Sequence, residues 1–237
     1  MMVERTIRRY LLLFLFFSIT FADCNSDEGT APTSADTYDV DANGIPKIAE
    51  VNYIELEKVY SISKFRSGVG HDYSDYFETC RSMKHYFQPK SNADWSSIKL
   101  FSPVKGKVSN TIEEWAGTQV QIQSEEYPAF YFIIFHVNLT NPLNVGDAVT
   151  AGQQLGTHIG SQTWSDIAVG INTPDGWKLI SYFDIINDTV FKEYETRGIL
   201  SRNELIIYEE ARDADPLTCT DGEFENEGNL ENWVTLN

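Results

Sequence analysis

The stretch from residue 119 to residue 135 constrains the fold of this chain more than any other. Gln119-Val120-Gln121-Ile122-Gln123 alternates polar and apolar residues with a period of two, which puts successive side chains on opposite faces of a strand. Shortly after it, Phe130-Tyr131-Phe132-Ile133-Ile134-Phe135 is aromatic or β-branched without a break. Runs of this kind, broken by Gly, Pro and Asn turns, continue from Val51 onward, so an antiparallel β core is expected. The sequence shows no repeat of solenoid period, and no long helix is expected before Phe191. In the tail, Ser201 and Glu204 form a capping box for a helix expected to run to about Ala214 and to stop at Pro216. Its Leu205, Ile206 and Tyr208 would pack on the core.

Size and charge narrow the possible partners. A chain of 237 residues, 42% hydrophobic and 13% aromatic, can bury one substantial core. Its formal net charge of −17 argues against nucleic-acid binding, which needs a basic stripe to neutralise phosphates.

The start of the chain reads as a targeting segment. Arg5, Arg8 and Arg9 precede an apolar run from Tyr10 to Phe21, about twelve residues and too short to span a bilayer. A signal peptide over residues 1–23 is therefore expected, with the product exported to the periplasm or cell envelope. Two cleavage readings stand side by side: Thr20-Phe21-Ala22 suits an ordinary signal peptidase, and Phe21-Ala22-Asp23-Cys24 is an imperfect lipoprotein box. In the second, a lipid on Cys24 attaches the chain to a membrane. The Ser-, Thr-, Asp-, Ala- and Gly-rich segment after it, Asn25 to Asp36, has the composition of a solvated tether. The expected organisation is a leader over 1–23, a flexible acidic tether over 24–50, a β domain over 51–190 with an insertion at 76–98, and a helical tail over 191–237.

With Cys24 modified or removed, Cys80 and Cys219 remain as a pair in a compartment where disulfides persist, so a bond between them is expected. Two buried free thiols are the alternative. Between tether and core, Asp39-Val40-Asp41-Ala42-Asn43-Gly44, with Glu50 six residues on, formally fits a calcium-binding EF-hand loop. Pro46 takes the place of a residue with a backbone N–H, and no entering helix is legible before Asp39, which favours a plain acidic turn over a calcium site at Asp39–Glu50.

The chemistry turns on the four histidines, His71, His85, His136 and His158. Four segments in order carry a specific pattern. They are Gly70-His71-Asp72-Tyr73-Ser74-Asp75, then Leu100-Phe101-Ser102-Pro103-Val104-Lys105-Gly106-Lys107-Val108, then Tyr131 to Leu139 with His136-Val137, then Val145-Gly146-Asp147 through Gly152-Gln153-Gln154-Leu155-Gly156. Over about half of the chain, from Phe65 to Asp184, this set resembles the lysostaphin-like or LytM-type zinc metallopeptidases that cut peptide cross-links in peptidoglycan. The resemblance implies a mainly β fold, an antiparallel twisted sheet of the duplicated hybrid motif type. It also implies that His71 and Asp75 are the first two metal ligands and His136 a catalytic histidine.

That family takes its third ligand and a second catalytic histidine from a His-x-His on a strand, where alternate residues reach one face. The matching segment here is Ser165-Asp166-Ile167-Ala168-Val169-Gly170-Ile171, with Asp166 and Ala168 where the histidines would stand. A catalytic zinc needs three protein ligands and an open position for water, and two remain. The resemblance thus points to a non-catalytic homologue, a pseudoenzyme that binds a cell-wall peptide or another envelope protein. Its alternative is an endopeptidase with an altered zinc or other divalent-metal site of His71, Asp75 and Asp166. A carrier or sugar-phosphotransferase relative ranks last, because export contradicts it and no Met-Lys modification turn is present. His85 falls in the insertion, which could cover the groove as a lid, and is expected at the surface; His158 is expected to be a turn residue.

Overall fold

The computed structural model describes residues 37–237. The expected leader, Cys24 and the first part of the tether lie outside the described residues. The strands, in chain order, are β1 (Val59–Ser63), β2 (His85–Pro89), β3 (Lys99–Phe101), β4 (Gly106–Glu114), β5 (Gly117–Ser124), β6 (Phe130–Leu139), β7 (Ala148–Val149), β8 (Gln154–His158), β9 (Ser165–Thr173), β10 (Gly176–Ile180), β11 (Cys219–Thr220), β12 (Glu223–Phe224) and β13 (Trp233–Thr235). Helices are short: α1 (Val40–Asn43), α2 (Tyr182–Ile185), α3 (Asp188–Glu195) and α4 (Glu209–Ala214). The chain is thus mainly β, as its alternating and apolar runs require.

One large sheet has the order β13-β1-β2-β9-β6-β5-β4-β7, with β10 on β9 and with β8 joining β3 to β6. All its named pairings are antiparallel. The alternating run is β5, and its pattern is realised residue by residue: Val120 and Ile122 are buried and Gln119, Gln121 and Gln123 half-buried. The unbroken apolar run opens β6, which lies between β5 and β9 and is buried on both faces because an apolar cluster packs on each. Phe130, Phe132 and Ile134 join Ile167, Val169, Phe87 and Phe183 in the main core on one face. Ile133, Phe135, Met83, Phe65, Ala168 and Leu179 form a smaller apolar cluster.

Two segments are placed differently from the sequence expectation. The packed domain begins before Val51: Tyr38 stacks edge-on against Phe130 and Tyr127, and Ala49 bridges to Ile186. These apolar residues find partners on the core, so residues 37–50 are not a free tether. Asp39, in the acidic turn, caps α1 by accepting from the amides of Asp41 and Ala42. The segment 76–98 is not a lid. It supplies β2, which pairs with both β1 and β9 inside the sheet, because His85, Tyr86 and Phe87 are bulky enough to be buried.

The helix expected from Ser201 to Ala214 is realised as two pieces, a 3-10 turn at Arg202–Leu205 and α4. Its capping signals are used: Ser201 accepts from the amide of Asn203, and Glu204 accepts from the amide of Leu200. Between the pieces, the Phe65 amide donates to Leu205 and the Ile207 amide donates to Phe65, which draws Ile206-Ile207 into an extended bridge. Two adjacent β-branched residues favour that conformation over a helix. The Cys80 and Cys219 sulfurs are 2.00 Å apart, joining the segment before β2 to β11, and β13 returns to become the edge strand on β1.

Candidate functional site

A cleft of about 440 Å³ opens over the β2-β9-β6 part of the sheet, lined among others by His71, Lys84, Tyr86, Trp115, His136 and Trp164. Its floor depends on face parity. Tyr86 on β2 lies opposite Asp166 on β9, and Lys84 precedes β2 two residues before Tyr86. Simple alternation along β6 would put His136 with Phe132 and Ile134 in the main core. Instead β6 bulges: Thr118 pairs with Val137 and Val120 with Ile134, so one residue of β5 faces two of β6. His136 absorbs the extra residue at a φ of 60°, a region that a non-glycine residue rarely adopts. That turn of the backbone brings its ring to Asp166.

At the centre stands Lys84. Its Nζ is 2.6 Å from Asp166 Oδ2 and 3.3 Å from His71 Nε2, and it lies over the rings of Phe135, Tyr73 and Tyr86 at 4.3, 4.9 and 4.9 Å. The two charged side chains are 2% and 0% exposed. Lys84 and Asp166 form an ion pair, and His136 Nε2 approaches Asp166 Oδ1 to 3.3 Å. Burial, the largest influence on the Lys84 ammonium, pulls its pKa down, and the Asp166 carboxylate together with the Tyr86 hydroxyl more than reverses this, so the net shift is upward. Lys84 is therefore a fixed cation. The same burial pushes the hydroxyls of Tyr73 and Tyr86 up to about 12.

Both groove histidines are oriented by the backbone. His71 Nδ1 donates to the Asp72 carbonyl at 2.9 Å, and His136 Nδ1 to the Ala116 carbonyl at 2.9 Å. A carbonyl can only accept, so in each ring Nδ1 carries a proton and Nε2 faces the cleft. Gly70 makes the approach of His71 possible. It has a φ of 77°, and a Cβ there would lie 2.0 Å from the Tyr86 hydroxyl oxygen.

The other residues singled out in the sequence are placed differently. Asp75 does not reach this cleft. Its Oδ1 accepts from the amides of Phe77 and Glu78 and its Oδ2 from the amide of Leu179, and it lines a separate cavity with Tyr76 and Trp177. A short acidic side chain in a turn is readily captured by nearby backbone N–H groups. Ala168 lies one strand period from Asp166 and opposite Ile133, in the smaller apolar cluster. His85 is not a surface residue: it is fully buried between the Ser63 carbonyl and the Ser181 hydroxyl, and desolvation pulls its pKa down to about 4. Nor is His158 a turn residue. It ends β8, 2% exposed, accepts from the Gly160 amide, and is likewise lowered to about 4 by burial.

No protein-family model matches the sequence, and no curated relative matches it. Among solved structures it is similar to a chain from Ruminococcus gnavus ATCC 29149 assigned as a glycyl-glycine endopeptidase, lytM. That similarity has 15% identity and a TM-score of 0.34 and covers 43% of each chain. It is also similar to lysostaphin, with 14% identity and a TM-score of 0.30, over 47% of this chain and 48% of that one. The chain thus spans less than half the length of either.

The residues that sequence reasoning missed are Lys84 and the tryptophans of the cleft. Lys84 did leave a signal: it interrupts the bulky run Met83-Lys84-His85-Tyr86-Phe87, and a lysine inside a buried run must have a partner. Trp115, at the β4–β5 hairpin tip, is 80% exposed, with its ring 6.3 Å from that of His136. Its indole adds apolar surface to the wall of the cleft.

The donors present do not fit a catalytic zinc. His71 Nε2 faces an ammonium, both oxygens of Asp75 accept backbone amides outside the cleft, and residue 168 is a methyl group. Among the described residues, no group of three or more His, Cys, Asp or Glu side chains is disposed to hold a metal ion.

Proposed function

We propose that this protein is an exported, non-catalytic homologue of the lysostaphin and LytM peptidases, whose cleft binds a cell-wall peptide or another envelope protein. The ordered motif set from Gly70 to Gly156 supports the kinship, and the apolar run behind Arg5, Arg8 and Arg9 supports delivery to the envelope, with Cys24 as a lipid attachment point. The observation that carries the non-catalytic reading is the disposition of the donors. The carboxylate expected as second ligand, Asp75, is bonded to three backbone amides and lines a different cavity. Without a metal-bound water, peptide hydrolysis of this type has no nucleophile. The cleft itself keeps the features of a binding site, with aromatic walls and a few inward polar groups.

Purified mature protein, incubated with peptidoglycan sacculi and added zinc, is expected to co-sediment with them or with an envelope partner and to release no cleavage products. Trp115→Ala should weaken that association. Cleavage that is abolished by His71→Ala and by a chelator would overturn the proposal and restore the altered metal site as the better reading.

A further inference from the structure

The cleft floor has the chemistry of a metal site whose metal is replaced by part of the chain. Two imidazoles and one carboxylate converge on it, the donor types that divalent transition metals prefer. Each imidazole is oriented as metal-ligating histidines are, with Nδ1–H held by a backbone carbonyl and Nε2 turned inward. The carboxylate, Asp166, is wholly buried, and a buried carboxylate requires a cation.

We propose that the Lys84 ammonium is a built-in substitute for a divalent cation, and that removing it uncovers a latent metal site of His71, His136 and Asp166. The proposal deepens the non-catalytic reading and rests on it. The donor set differs from the one the sequence suggested, because Asp75 is absent from it and His136 takes part. Lys84 is suited to the substitution in three ways. It is tethered, so its charge does not exchange with solution. It is caged by three aromatic rings that favour a cation over their faces. An ammonium also has no vacant coordination position, so it neutralises Asp166 without activating water.

The ammonium also sets the spacing. His71 Nε2 stands 3.3 Å from Nζ, a hydrogen-bonding separation, whereas a zinc–imidazole bond is about 2.1 Å. The three donors form no metal-holding group as they stand, and His71 must close in by roughly 1 Å when the ammonium is gone.

The test is a Co²⁺ titration followed by visible absorption, on the natural protein and on Lys84→Met and Lys84→Ala. The variants should bind Co²⁺ at least about 100-fold more tightly. That factor is the repulsion between a unit charge and a divalent ion about 3 Å apart, even at the dielectric constant of bulk water. The new absorption should vanish when His71→Ala or His136→Ala is added. Where a variant folds poorly alone, metal should raise its melting temperature and leave that of the natural protein unchanged. Folded variants that bind no more tightly than the natural protein would overturn the proposal, as would variants that stay unfolded with and without metal. Tight Co²⁺ binding by the natural protein, lost in His71→Ala, would also overturn it. Failure of the functional reading is seen separately, as cleavage of sacculi by the natural protein.

Discussion

Separating Lys84 from Asp166 should destabilise the fold far more than removing both. The two charges are 2.6 Å apart and at most 2% exposed. At an effective dielectric constant of ~20 their attraction is about 6 kcal/mol, most of it offset by the desolvation of both groups. Truncating one partner strands the other charge in a nearly dry site, at a cost of about 3–5 kcal/mol. For a domain of this size that lowers the melting temperature by roughly 6–20 °C. Lys84→Met and Asp166→Leu should each show this loss, while the double substitution, which leaves no charge unpaired, should fall within about 1–2 kcal/mol of the natural protein. Urea denaturation of the four proteins at neutral pH gives the coupling energy directly. The raised pKa of Lys84 means that its stabilisation is complete below its unfolded value and is lost only as pH climbs through the higher folded value. The cycle should therefore be independent of pH between 6 and 9 as far as Lys84 is concerned. Single variants that lose less than about 1 kcal/mol, with no coupling, would refute the view that the pair is desolvated and mutually required.

Acid should unfold the protein early, because His85 and His158 are each lowered from 6.5 to about 4 by burial and the unfolded chain binds protons between those values. Each site removes up to about 3 kcal/mol as pH falls from 6.5 to 4, and His85→Gln should flatten part of that slope in urea midpoints measured across the range. Replacing both Cys80 and Cys219 by serine opens a link between residues 139 apart in sequence, so the unfolding free energy from urea denaturation should drop by about 2–5 kcal/mol, with no loss if the bond does not form. Gly70→Ala should destabilise by at least about 1–3 kcal/mol, since the new methyl group would meet the Tyr86 ring at a positive φ. A melting curve like that of the natural protein would show that this backbone approach is looser than described.

Much of the sheet was legible because its information is local. The alternation at 119–123 and the apolar run at 130–135 needed only their own periodicity to become β5 and the start of β6. The site was less legible, for physical reasons that differ by residue. His136 reaches the cleft through one extra residue in β6, and a bulge reverses face parity without any marker in the periodic pattern. The family resemblance sent Asp75 to a metal, whereas the turn it opens supplies amides that are nearer. His85 and His158 were read from their neighbours in sequence, but their burial is decided by strands that pair with them from elsewhere in the chain.

Asp166 and Lys84 were the hardest to read, and they are intelligible only together. Alone, an aspartate at a ligand position reads as a weaker ligand, and a lysine in a strand reads as a solvated edge. Once β2 is seated against β9, neither can reach bulk water, and each would cost several kcal/mol without the other. The acid on β9 and the lysine before β2 are thus two halves of one buried pair. The carboxylate adds a negative charge to the cleft, and the ammonium supplies the positive charge that a metal would otherwise have to bring.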